Sequence, residues 1–166
     1  MNLSEHFTLE EACDSPTAIR LGIENHPDYP AIDRMKVAAA GMEIVRAILG
    51  QPIHVNSWYR CEALEKLITQ KDYIRWCGVH GHYMDDASWA MYFARKGHPK
   101  GYAVDFKCPQ FGSPLDIVHA IQKTELKFDQ LIQEGTWVHI SFDPQMRGQV
   151  MTATFTDGTP HYTQGA

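Results

Sequence analysis

The sequence predicts an α+β fold, with helices packed on one face of a small antiparallel sheet whose other face is polar. Three observations predict it. Apolar residues recur at three- and four-residue steps through residues 31–49 and again after Ser113-Pro114, the spacing of a buried helix face. Segments at 52–59, 103–107 and 137–142 alternate between two faces, the period of a strand buried on one side. No internal repeat, linker or low-complexity run divides the 166 residues, which fit one domain with a single core.

Each element has a local reason. Thr8 followed by Glu11 is a capping box, so a short helix starts at Leu9. Ser15-Pro16 opens a second short helix that stops at Gly22. H-P-D-Y-P at 26–30 reads as a rigid loop. A long helix follows over 31–49 and ends at Gly50, with Met35, Met42, Val45 and Leu49 on its core face. Pro52 begins a strand in which Ile53, Val55 and Ser57 point one way and His54, Asn56 and Trp58 the other. A helix is expected over 62–69. Residues 70–95 are aromatic and charged, and read as partly helical. A-V-D-F-K around residue 105 is a strand, and Ser113-Pro114 with Asp116 opens another helix. Strands are expected over 128–133 and 137–142. The tail after Asp143 reads as a terminal hairpin or as loosely ordered chain.

Composition narrows the function. The net charge of −5 gives no general basic field for nucleic acid or an anionic membrane. Cys13, Cys61, Cys77 and Cys108 form no C-x-x-C pair, so a zinc ribbon is not expected and the thiols read as free. The first residues lack the basic and apolar regions of a signal peptide, and no apolar run approaches the roughly 20 residues of a membrane span. A soluble protein made in the cytoplasm is expected.

Two short segments carry the chemistry, G-H-P-K-G-Y-A-V-D-F at 97–106 and T-W-V-H-I-S-F at 136–142. Val138, Ile140 and Phe142 share the core face of their strand, which turns His139 toward the polar side. Val104 and Phe106 do the same for Asp105. Gly97 and Gly101 let the preceding loop bring His98 back toward Asp105. Two neutral imidazoles and a carboxylate suit one catalytic zinc ion, because they leave a fourth tetrahedral position for water. The alternative is three unrelated polar residues on a solvated face. His80-Gly-His82 with Asp85 and Asp86 is a second combination able to bind metal, although an aromatic flap over the cleft is the more economical reading of that segment.

These residues resemble the D-alanyl-D-alanine carboxypeptidase and hedgehog-like zinc peptidases, particularly the small branch found among bacteriophage lysis proteins. The resemblance lies in His98, then G-Y-A-V-D ending at Asp105, then W-V-H ending at His139. H-F-T-L-E-E, T-A-I-R-L-G-I-E-N, P-I-H-V-N-S-W-Y-R-C-E-A-L and F-D-Q-L-I-Q-E extend it over most of the chain. It implies a hedgehog/DD-peptidase-like fold with zinc on His98, Asp105 and His139. It implies a carboxylate general base before the last histidine, best matched by Glu134, with Asp129 next. Many members place that acid three residues before the histidine, where this chain has Thr136. Arg60 matches an arginine that clamps the substrate, so it is expected to add little to the fold. Ser57 and Trp137 join it as substrate-binding residues. Relatives often have Gly in place of Trp58 and Ser in place of Lys96, and residues 70–95 resemble an insertion.

The activity implied is hydrolysis of stem peptides in bacterial peptidoglycan, as a D-Ala carboxypeptidase or cross-link endopeptidase. L-alanyl-D-glutamate cleavage and a non-catalytic zinc-binding interaction domain are the alternatives. The same resemblance implies a monomeric phage enzyme, made in the host cytoplasm and released to the periplasmic wall.

Overall fold

The computed structural model describes residues 1–156 and 158–166. Two short capped helices come first, α1 (Leu9–Cys13) and α2 (Pro16–Leu21). Thr8 Oγ1 accepts from the Glu11 amide at 3.1 Å, half of the expected capping box, and Ser15 Oγ accepts from the Ala18 amide at 3.2 Å. Helix α3 (Tyr29–Leu49) starts earlier than expected. Asp28 Oδ1 accepts from the Ala31 amide at 2.8 Å, so Tyr29 and Pro30 form the first turn instead of a loop.

Strand β1 (His54–Ser57) corrects the expected alternation. Val55 pairs with Phe106 but Ser57 pairs with Asp105, so Asn56 is the extra residue of a bulge. The bulge moves Ser57 off Val55's face and sends Trp58 into the core, where it is 1% exposed. The segment after β1 holds three helices, α4 (Glu62–Ile68), α5 (Gln70–His80) and α6 (Asp86–Phe93). Tyr73, Cys77, Trp89 and Tyr92 from α5 and α6 form a small aromatic core of their own.

The remaining elements are β2 (Ala103–Lys107), α7 (Pro114–Gln122), β3 (Gln130–Glu134), β4 (Trp137–Ser141), β5 (Gln149–Thr156) and β6 (Thr159–Gln164). A full capping box between Ser113 and Asp116 starts α7. The last two strands are the hairpin alternative for the tail. All six strands form one sheet in the order β1-β2-β4-β3-β5-β6. The sheet is mixed, which corrects the antiparallel expectation: β3 and β5 run parallel, while the other pairs are antiparallel. The cause is the connection after β4. It crosses the start of β3 and is tied there, with the Gly148 amide donating to the Phe128 carbonyl at 3.0 Å and the Gln149 amide to the Asp129 carbonyl at 2.9 Å.

Helices α3 and α7 cover one face of the sheet. Val104, Phe106, Leu131, Val138 and Ile140 pack there against Met35, Met42, Val45, Ile117 and Ile121, all fully buried. Each such side chain stabilises the fold by about 1.5–3 kcal/mol. The opposite face floors a cleft, and α5 walls it by contact with β6, where an Arg75 guanidinium nitrogen donates to the Pro160 carbonyl at 3.0 Å. Among the described residues no helix is long and apolar enough to cross a membrane.

Candidate metal centre

Asp105 on β2 and His139 on β4 are direct cross-strand partners. Their side chains meet on the cleft face, His139 Nδ1 lying 2.8 Å from Asp105 Oδ1. His98 Nε2 approaches the other oxygen, Oδ2, at 3.2 Å. Its Nδ1 lies 2.7 Å from the Trp58 carbonyl. A carbonyl only accepts, so Nδ1 carries a proton and the Nε2 of the neutral ring is left as the ligating nitrogen. The three donor atoms lie within 4.8 Å of one another, and the group can hold a metal ion. Among the described residues it is the one cluster of three or more His, Cys, Asp or Glu that meets this condition.

The loop that carries His98 is tied at both ends by Trp58. Its carbonyl faces His98, and its indole Nε1 donates to the Gly101 carbonyl at 2.9 Å. Gly101 has φ +89°, and a Cβ there would lie 2.7 Å from Met35 Cγ and 2.9 Å from the Ala31 carbonyl oxygen. Only glycine lets this loop lie against α3. In the sequence Trp58 stood out only as a departure from the glycine common in the resembled family. Its carbonyl contact depends on long-range packing and has no sequence signature.

The electrostatics keep the carboxylate ionised. Burial works to neutralise Asp105, but the His98 and His139 imidazoles outweigh it and hold the carboxyl well below its ordinary range. Burial lowers the His139 pKa, and its hydrogen bond to Asp105 reverses the effect and leaves it raised.

Arg60 stands beside this group with all three guanidinium nitrogens engaged. Nη2 donates to Asp105 Oδ2 at 2.9 Å, Nε to Ser57 Oγ at 3.0 Å, and Nη1 reaches Glu65 Oε2 at 3.4 Å. Glu65 is 1% exposed. Arg60 thus also faces a buried carboxylate, a contact that the expectation of little contribution to the fold did not include. Sequence reasoning missed Glu65. It lies one turn into α4, and nothing in its spacing marks it as buried.

Glu134 and Trp137 are cross-strand partners two residues along from the Ile132–His139 pair, so they share the cleft face with His139. Trp137 Nε1 donates to Glu134 Oε2 at 2.7 Å, and the Tyr162 hydroxyl lies 3.5 Å from Oε1. Asp129, the second candidate base, is not in the cleft lining. It is buried and held at 2.7 and 2.6 Å by Arg147. Arg60, Glu134, Trp137, His98, Asp105 and His139 all line one cleft of about 810 Å³.

The reading of His80, His82, Asp85 and Asp86 as a second metal site is not met. His80 and His82 stack on Trp76 at 5.0 and 4.9 Å, and Asp85 caps α6 by accepting from the Ser88 amide at 2.8 Å. Lys96, at the position where the resembled family commonly has serine, bonds to Asp72 at 3.1 Å. No family model, curated protein or solved structure matches this chain.

Proposed function

We propose that the protein is a zinc-dependent peptidase of the D-alanyl-D-alanine carboxypeptidase and hedgehog-like type, acting on stem peptides of bacterial peptidoglycan. The observation that carries this reading is the placement of Glu134 on the same cleft face as His98, Asp105 and His139. The donor set fits zinc. Two imidazole nitrogens and one carboxylate oxygen match its preferred ligands, and three protein ligands are the number found at catalytic sites. Zinc at these donors would supply a Lewis acid and acidify water toward neutrality.

The chain's own residues supply the rest. Trp58 orients His98 through its carbonyl, and Arg60 orients Asp105. Trp137 holds Glu134 Oε2 and the Tyr162 hydroxyl lies 3.5 Å from Oε1, whose remaining lone pair would accept a proton from the attacking water and return it to the leaving amine. The polar cleft face and its aromatic wall suit an extended peptide. Release of terminal D-Ala, or cutting of a cross-link, is the reaction favoured by the resemblance, and a lysis enzyme delivered to the wall is its setting.

Digestion of purified muropeptides with and without added zinc, read by mass spectrometry of the products, tests this. Loss of D-Ala or separation of cross-linked dimers is the expected result. Release at the L-Ala–D-Glu bond would move the specificity to the alternative peptidase. Bound zinc with no cleavage would leave a zinc-binding interaction domain.

A further inference from the structure

Helix α5 and the turn that follows α6 present the cleft with four cations, Lys71, Arg75, Arg95 and Lys96, and one carboxylate, Asp72. Asp72 is shared. It accepts from the Tyr92 hydroxyl at 2.5 Å and from Lys96 Nζ at 3.1 Å, and Arg75 Nη2 lies at 3.9 Å. Arg95 lies over the Trp76 ring at 5.9 Å and, like Lys71, has no carboxylate partner among the described residues. Among the described residues, four cations against one carboxylate leave this wall positive, on a chain whose net charge is −5.

The other cations of the cleft are already paired. Arg147 is held on Asp129, and Arg60 is spread over Ser57, Glu65 and Asp105. Among the described residues, the cleft cations without a carboxylate partner are therefore Lys71, on α5, and Arg95, just after α6. Like charges on one wall repel one another, whereas a surface of one sign concentrates ligands of the other. Guanidinium and ammonium groups beside an aromatic surface suit a carboxylate, with Arg95 able to offer a planar pair of donors.

We infer that this wall is a carboxylate subsite, so that the peptide substrate carries an acidic group against α5 and α6 while its scissile bond lies at His98, Asp105 and His139. The inference rests on the peptidase reading for the identity of the peptide, and on the cleft's charge distribution for the acidic group.

The test compares binding, by calorimetry on the zinc-loaded protein, of two muropeptides. They are a disaccharide pentapeptide with free carboxylates along its stem and the same compound with those carboxylates amidated. Wild type should bind the free form about tenfold more tightly, with an advantage that shrinks as salt is raised. The Lys71→Gln/Arg95→Gln double variant should lose that advantage while its zinc content and melting temperature stay unchanged. Equal binding of the two peptides by wild type, binding of neither, or an advantage kept in the variant would overturn the subsite. Cleavage scored in the same mixtures separates the two ideas. Discrimination without cleavage supports the subsite and removes the peptidase reading, and cleavage without discrimination does the reverse.

Discussion

Glu65 Oε2 lies 3.4 Å from Arg60 Nη1, and Arg60 is the only side chain within hydrogen-bonding reach of that buried carboxylate among the described residues. The arginine beside the metal centre thus links the site to the fold. Removing it strands a charge in the protein interior, which costs about 3 kcal/mol. Arg60→Ala should lower the melting temperature by roughly 6–12 °C for a chain of this size. Adding Glu65→Gln should recover more than half of that loss. A single variant that melts like wild type would show that the contact carries no stability.

One zinc ion per chain is expected, and His139→Ala should lose most of it. Without the His139 imidazole the remaining donors are His98 and Asp105, too few for tight binding. Metal analysis after dialysis measures this directly. Full retention in the variant would place the ion elsewhere.

The candidate ligands were legible because a two-residue period decides which side of a strand faces the core. Val104 and Phe106 on one strand, and Val138 and Ile140 on the other, turn Asp105 and His139 to the same side. The helices were legible from caps and spacing. Three features were not, and each depends on residues far apart in sequence. The bulge at Asn56 follows from how β1 meets β2. The parallel pairing of β3 with β5 follows from a crossover pinned at Phe128 and Asp129. The burial of Glu65 follows from where α4 packs against Arg60. Local patterns hold no trace of such contacts.

Gly101 should be far less replaceable than Gly50. Both have positive φ, +89° and +61°, but a Cβ at Gly50 meets open space, while at Gly101 it meets Met35 and the backbone of α3. Gly50→Ala should cost only the left-handed strain, about 1–2 kcal/mol. Gly101→Ala adds an overpacking cost of about 1–3 kcal/mol. It should also weaken zinc binding, because His98 lies three residues upstream on the same loop. Equal melting temperatures and equal zinc affinities for the two variants would refute the packing argument.

Asp129 sets a pH dependence that is independent of the metal. Its hydrogen bonds from Arg147 outweigh the opposing effect of burial and hold its carboxyl below the ordinary value. A depressed carboxyl stabilises the fold above its unfolded pKa of about 3.9. That contribution disappears as pH falls through the lower native value. Asp129→Asn should therefore melt below wild type from neutral pH down to about 4, and the two curves should converge at more acidic pH. A gap that stays constant through the acid range would assign the effect to packing alone.

Glu134 and Trp137 should separate as base and positioning residue. Glu134→Gln keeps the shape but cannot take a proton, so it should retain zinc and lose about 10²–10⁴-fold in kcat. Trp137→Phe keeps an aromatic ring at a position whose indole lies 5.9 Å from the Phe155 ring, and removes the Nε1 hydrogen bond to Glu134. A hydrogen bond to a charged group is worth about 1.5–3 kcal/mol, so kcat should fall roughly 10- to 100-fold. If Trp137 acts through Glu134, the loss falls on kcat with KM unchanged, and in the Glu134→Gln background Trp137→Phe adds almost nothing. A raised KM in the single variant would instead make the indole a substrate contact. Near-normal turnover in Glu134→Gln would leave the cleft without its base, since Asp129 is bound to Arg147 and Glu65 to Arg60.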